Sequence, residues 1–183
     1  MKAFQCISLL ASFAFPLLAA DSLAKSEGPR SGLTNVIDAA TGFYRTAFGT
    51  SEEKFITIHG EPTGRLRLSA KDSALIYGKD HAFLFLNNQL IGVRITEGVF
   101  DWKISTALTN TTQFDAIEWK LDNGIRKGMA LSEVQKDVGE NIANNKYTFA
   151  YRVGRTTVEI DFIQQDFELD QKSTVHGLLV KRE

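Results

Sequence analysis

Gly128-Met129-Ala130-Leu131-Ser132-Glu133-Val134-Gln135-Lys136-Asp137-Val138-Gly139 opens and closes on glycine, and between the glycines Met129, Val134 and Val138 recur at near-helical spacing. The same frame stands earlier in the chain as Gly49-Thr50-Ser51-Glu52-Glu53-Lys54-Phe55-Ile56-Thr57-Ile58-His59-Gly60, with Phe55 where the later stretch has Val134. Each is followed by a glutamate, Glu61 or Glu140, and then by strand-like sequence. Two such stretches predict a tandem repeat. In this reading Gly49, Gly60, Gly128, Met129 and Gly139 are structural positions, with Gly60 and Gly139 ending their helices in the left-handed conformation that a Cβ strains.

Upstream of the first stretch, Thr34 or Asn35 is placed to cap a helix whose apolar stripe is Val36, Ile37, Ala40, Phe43, Tyr44 and Ala47. Thr50 and Glu53 have the spacing of a capping box for the second helix, and Pro62 beyond Gly60 prevents that helix from resuming. The later stretch is likewise preceded by a predicted helix over residues 113–121, carrying Phe114, Ile117, Trp119 and Leu121, but its own capping box is missing. Strands follow both. Arg65-Leu66-Arg67-Leu68, residues 74–77, 82–86 and 89–96 form the first set, with turns at Gly78-Lys79-Asp80 and Asn87-Asn88. Residues 147–152, 157–162 and 175–181 form the second, with a turn at Gly154.

The expected fold is therefore α+β, in two layers: two tandem helix-helix-antiparallel-sheet repeats, the first with its linker over residues 34–109 and the second over 110–183. The spacing of the two glycine stretches resembles that of the SmpA/OmlA family of outer-membrane assembly lipoproteins and of the β-lactamase inhibitor protein (BLIP) family, which carries two tandem units of this kind. The resemblance implies a sheet that presents a surface to another protein. The chain departs from both families: it lacks the lipid-anchor cysteine of the first and the cysteines of the second, and Thr50 stands where the motif has methionine.

Met1-Lys2, the apolar run over residues 7–18 and Ala19-Ala20 have the charged start, short hydrophobic middle and small-residue exit of a signal peptide. Such a run is too short to span a bilayer. Residues 1–20 are read as this segment, with cleavage after Ala20 preferred to cleavage after Ala24, and 21–33 as a flexible polar leader. The chain's single cysteine, Cys6, lies inside it, so the processed protein is expected to have neither disulfide nor thiolate chemistry and no membrane insertion. A periplasmic or secreted location in a bacterium follows.

In 183 residues the formal net charge is −1 and the cations are scattered, which argues against a nucleic-acid partner. His59, His81 and His176 show no metal-ligand spacing, serines occupy no Gly-x-Ser-x-Gly turn, and the glycines are too far apart to cradle phosphate. No cofactor, metal or catalytic residue is expected. Asp166, Glu168 and Asp170 alternate with Phe167 and Leu169 as a solvated hairpin would, with steering of a basic partner as their functional reading.

The aromatic residues are more telling. Residues 82–86 are apolar on both faces of a strand, so one face is expected to cover helices and the other to meet the second repeat or a partner. Tyr77, Phe83, Phe85, Tyr147, Phe149 and Tyr151 are the expected binding residues, set on two sheets lying side by side, with Tyr77 and Tyr151 as anchors. The favoured function is an exported, non-enzymatic inhibitor or immunity-type factor that binds a protein. An envelope-assembly accessory and a small periplasmic hydrolase are the alternatives.

Overall fold

Tyr44 and Arg45 have φ of 47° and 68°, which no helix tolerates, and they close a tight hairpin where an amphipathic helix was expected. The strands are β1 (Val36–Asp38), β2 (Gly42–Phe43) and β3 (Thr46–Ala47). Between β1 and β2 the Asp38 carboxylate accepts hydrogen bonds from the Ala40 and Thr41 amides and the Thr41 hydroxyl, which turns the chain. The structure is a computed structural model that describes residues 35–96, 112–138, 142–143, 148–163 and 169–183. The signal peptide and leader, Gly139 and Glu140, Tyr147, and Asp166 to Glu168 lie outside the described residues.

After β3 comes α1 (Glu52–His59), then β4 (Gly64–Arg67), β5 (Asp72–Tyr77), β6 (His81–Leu86) and β7 (Gln89–Ile95). A single 3-10 turn at Gln113–Ala116 and the short β8 (Lys120–Leu121) replace the helix expected over residues 113–121. The chain continues with α2 (Leu131–Val138), β9 (Thr148–Val153), β10 (Thr156–Ile163) and β11 (Thr174–Arg182). Among the described residues there are two α-helices and two sheets, so the helix-helix-sheet repeat is overturned, and with it the resemblance to the BLIP and SmpA/OmlA families.

The large sheet runs β4-β5-β6-β7-β11-β10-β9, and the small one β3-β2-β1-β8. The two sets of strands do lie side by side, joined by antiparallel pairing of β7 with β11, in which Ile95 faces Leu178 and Gly92 faces Lys181. At that seam the backbones approach closely. A Cβ on Gly92 would meet the Val180 carbonyl at 2.6 Å, and one on Gly177 the Ile95 carbonyl at 2.5 Å.

What recurs is smaller than the expected unit. Gly49, at φ 83°, donates its N–H to the Leu90 carbonyl at 2.9 Å, and the Leu90 amide donates to Thr50 at 2.8 Å. Gly128, also at φ 83°, donates to Val175 at 2.8 Å, and the Val175 amide donates to Met129 at 2.8 Å. Each glycine thus starts a short bridge to the sheet, and a helix of eight residues follows it.

Ser51, not Thr50, caps α1, its hydroxyl accepting from the Lys54 amide at 3.3 Å. At α2 a carboxylate does the capping: Glu133 reaches back to the Ala130 amide at 2.9 Å.

One face of the large sheet carries Leu75, Phe83, Val93, Val158, Ile160, Leu178 and Val180, each fully buried. These pack with Phe55 of α1, Val134 of α2 and Ile37 and Phe43 of the small sheet into one core. Phe55 touches four aromatic rings, Tyr77, Phe83, Phe85 and the His59 imidazole, and a truncation there removes about 3–5 kcal/mol by the usual cost of a large core deletion. On the opposite face Ala74, Ile76 and Ala82 form a second, smaller apolar cluster with Leu84.

Gly60 ends α1, but at φ 85° and ψ 180° it lies in a region open to glycine alone, beyond the expected left-handed helical one. No atom lies within 4 Å of where its Cβ would be, so the cost of a side chain there is backbone strain without a clash. Gly60→Val is expected to destabilise by about 1–3 kcal/mol. Thermal melts of the variant against the parent chain check this, and an unchanged midpoint would remove the helix-end role from Gly60.

Candidate functional site

Of the six aromatic residues expected on a binding surface, the five described are core. Phe83, Phe85, Phe149 and Tyr77 are 0–1% exposed and Tyr151 is 6% exposed. The alternation assigned Phe83 and Phe85 to one face correctly, but α1, the 3-10 turn and the small sheet cover that face. Tyr77 and Tyr151 are tied inward by their hydroxyls: Tyr77 donates to the Gly60 carbonyl at 2.7 Å, and Tyr151 accepts from the Asn123 amide group at 3.1 Å. Burial raises both phenols, Tyr151 to about 12, so both stay protonated. Tyr147 lies outside the described residues.

Asp170 is described, and it is no member of a strand-face carboxylate row. It closes a turn, accepting from the amides of Lys172 and Ser173 and from the Ser173 hydroxyl, and the Ser173 bond leads in holding its carboxyl below the usual range.

Two histidines stand where the sequence places them, at a helix end and beside a hairpin turn, but both are buried, which the sequence offered no reason to expect. His81 on β6 is 2% exposed, and its Nε2 lies 2.9 Å from the Tyr44 hydroxyl. His59, in the last turn of α1, is 8% exposed, and its Nε2 lies 2.7 Å from the Thr46 hydroxyl. Both rings pack against Phe114 and Phe83. Each leaves a buried Nδ1 without a partner. Burial lowers both imidazoles to about 4, so each is neutral at physiological pH.

His81 also lines a cleft of about 490 Å³ at one end of the central strands. Phe114 and Trp119 form its apolar part, and His176 contributes a second ring whose Nδ1 is buried without a partner. The 3-10 turn is fixed beside it by Asp115, which accepts from the Thr112 and Lys79 amides. Glu118, Lys120 and Arg126 stand exposed at the opening, and their side chains make no ion pair among the described residues. Gly128 of the second glycine bridge lines the cleft as well.

This gathering was not visible in the sequence, because β6, the 3-10 turn, β8 and β11 bring together residues that are far apart along the chain. The signal that existed was three histidines with no assigned partner. Among the described residues, no group of three or more His, Asp or Glu side chains is placed to hold a metal ion.

No protein family and no curated protein matches the sequence. Solved structures similar to it include a cysteine-rich secretory protein from Staphylococcus aureus, at 10% identity and a TM-score of 0.39 over 74% of this chain and 43% of that one. An extracellular protein containing a SCP domain from Bacillus anthracis has the same identity and score, over 74% of this chain and 44% of that one. A DUF4309 family protein, YjgB, from Bacillus subtilis is similar at 13% identity and a TM-score of 0.40, over 84% of each chain. This chain spans less than half the length of the first two. Likeness at this level carries no argument about function.

The buried imidazoles set a pH dependence. Their folded values, about 4, lie below the ordinary 6.5, so between these limits the unfolded chain binds more protons than the folded one. Stability is fully present above pH 6.5 and falls as the pH drops toward 4. Asp161, raised by its own burial against the lowering effect of Arg94 and His176, acts in the opposite sense, but it is one group against two. Melting midpoints from pH 7.5 to 4.5 are expected to fall, and to fall less in a His59→Gln, His81→Gln double variant. An equal fall in both chains would show that other groups bind the protons.

Proposed function

We propose that this chain is an exported protein that acts by binding another protein, and that the cleft at the ends of β6 and β11 is where the partner docks. The observation that carries this reading is the concentration of unused interaction capacity at one opening. Two cations, Lys120 and Arg126, and the Glu118 carboxylate, none of them in an ion pair among the described residues, share it with an apolar floor. Exposed charges normally solvate singly, whereas a recognition site groups polar contacts around an apolar centre. A rim of both signs suits a protein surface, which carries both, better than a uniformly charged polymer.

Binding is favoured over catalysis by the state of the best-placed imidazole. A general base works best with a pKa near the operating pH, and His81 at about 4 is a weak base committed to Tyr44. A periplasmic or secreted location rests on the signal-peptide pattern of residues 1–20. Among the described residues no helix is long and apolar enough to cross a membrane.

Two measurements test this. Intact mass of the protein recovered from the producing cells is expected to show a start near Asp21 or Lys25, and retention of residues 1–18 would end the export argument. Cross-linking and pull-down from the envelope fraction are expected to capture one partner, with capture reduced about tenfold or more by a Glu118→Ala, Lys120→Ala, Arg126→Ala variant whose melting curve is unchanged. Undiminished capture would move the interface away from the cleft.

A further inference from the structure

The far edge of the large sheet points to a second surface, independent of the cleft. β4 ends the strand order, and among the described residues its pairing is with β5 alone. Natural sheets usually blunt such edges, because unpaired backbone groups invite another strand. Here the edge is short and carries arginines, which repel a second basic edge but not an acidic strand.

The two faces of β4 differ. Arg65 reaches Glu61 at 2.9 Å and Glu52 at 3.7 Å, which places Arg65, and with it Arg67, on the side of α1. Leu66 takes the other side. It stands opposite Ala74, which in turn stands opposite Leu84, so the second apolar cluster runs out to the edge at Leu66. Leu66 is 40% exposed and Leu68 61%.

A groove of about 530 Å³ lies beside the strand, lined in part by Arg65, Arg67, Lys71, Glu52 and Asp72. Its carboxylates are already engaged: Glu52 accepts from the Ser73 hydroxyl at 2.9 Å and Asp72 from the Ser69 hydroxyl at 2.6 Å. Arg67 and Lys71 are exposed and make no ion pair among the described residues. The charge left over in the groove is positive.

We propose that the edge of β4 docks a protein that presents an extended segment alternating acidic and apolar residues, added to the sheet as an eighth strand. Main-chain hydrogen bonds to β4 supply affinity, and the alternation supplies specificity. The acidic side chains meet Arg67 and Lys71 on one face while the apolar ones extend the row of Leu66, Ala74 and Leu84 on the other.

The test titrates the chain with a synthetic peptide of alternating glutamate and valine and with its lysine-valine counterpart, read by fluorescence anisotropy. The glutamate peptide is expected to bind about tenfold tighter or more, with affinity that falls as salt rises. An Arg67→Glu, Lys71→Glu variant is expected to reverse the preference with an unchanged melting curve, and the cleft variant to leave it intact. Equal binding of the two peptides, no binding of either, or an unaltered preference in the variant overturns the proposal. Sedimentation of the chain alone is expected to show a monomer. A dimer that the same variant dissolves makes a second copy the occupant and overturns the assignment to a different protein.

Discussion

The pairing of β7 with β11 is the constraint on which the rest of the molecule depends. It turns two sets of hairpins into one seven-stranded sheet and places Val93, Ile95, Leu178 and Val180, each at most 2% exposed, along the middle of the core. Both helices hang from the same two strands, α1 through the bridge to Leu90 and α2 through the bridge to Val175. An ion pair also crosses the seam: Arg94 of β7 reaches Asp161 of β10 at 2.6 Å, over the intervening β11. The residue of β11 opposite Asp161 is Gly177, so no side chain stands on the strand where the guanidinium passes.

Imidazoles tie the small sheet to the large sheet and to α1. His81 joins β6 to the hairpin turn at Tyr44, and His59 joins α1 to Thr46 of β3. Both contacts are buried polar bonds inside an aromatic cluster, where a low local dielectric strengthens a made bond and penalises an unmade one. Each ring therefore fixes a geometry at the cost of one unpartnered nitrogen.

The strands of the large sheet were legible because their turns announce themselves. Asn87 and Asn88, at φ 50° and 62°, close β6 onto β7, and Gly154, at φ 58°, closes β9 onto β10. Residues 36–47 misled because their apolar positions fit a helical stripe, yet the buried set is Ile37, Ala39, Gly42, Phe43, Tyr44 and Thr46, whereas Ala40 and Ala47 are exposed. The overlooked signals were β-branched Val36 and Ile37, followed by Asp38 and Gly42 as turn residues. Alternation also told which aromatics share a face but not what covers it. Coverage depends on β1 to β3 and the 3-10 turn folding over the sheet, and no local pattern encodes that.

The seam has a consequence for the order in which the chain assembles. Ile95 and Leu178 meet across more than 80 positions of sequence, as do Val36 and Lys120, so the contacts that complete both sheets are strongly non-local. Closing such long loops is entropically costly before any contact rewards it, and chains dominated by them fold slowly. During synthesis the first helix and the β4-to-β7 meander emerge well ahead of β11, leaving the inner edge of β7 open and Leu90, Val93 and Ile95 without their full covering. The half-made protein is thus a different object from the finished one: a four-stranded sheet with two open edges, each able to pair with a foreign strand until β11 arrives.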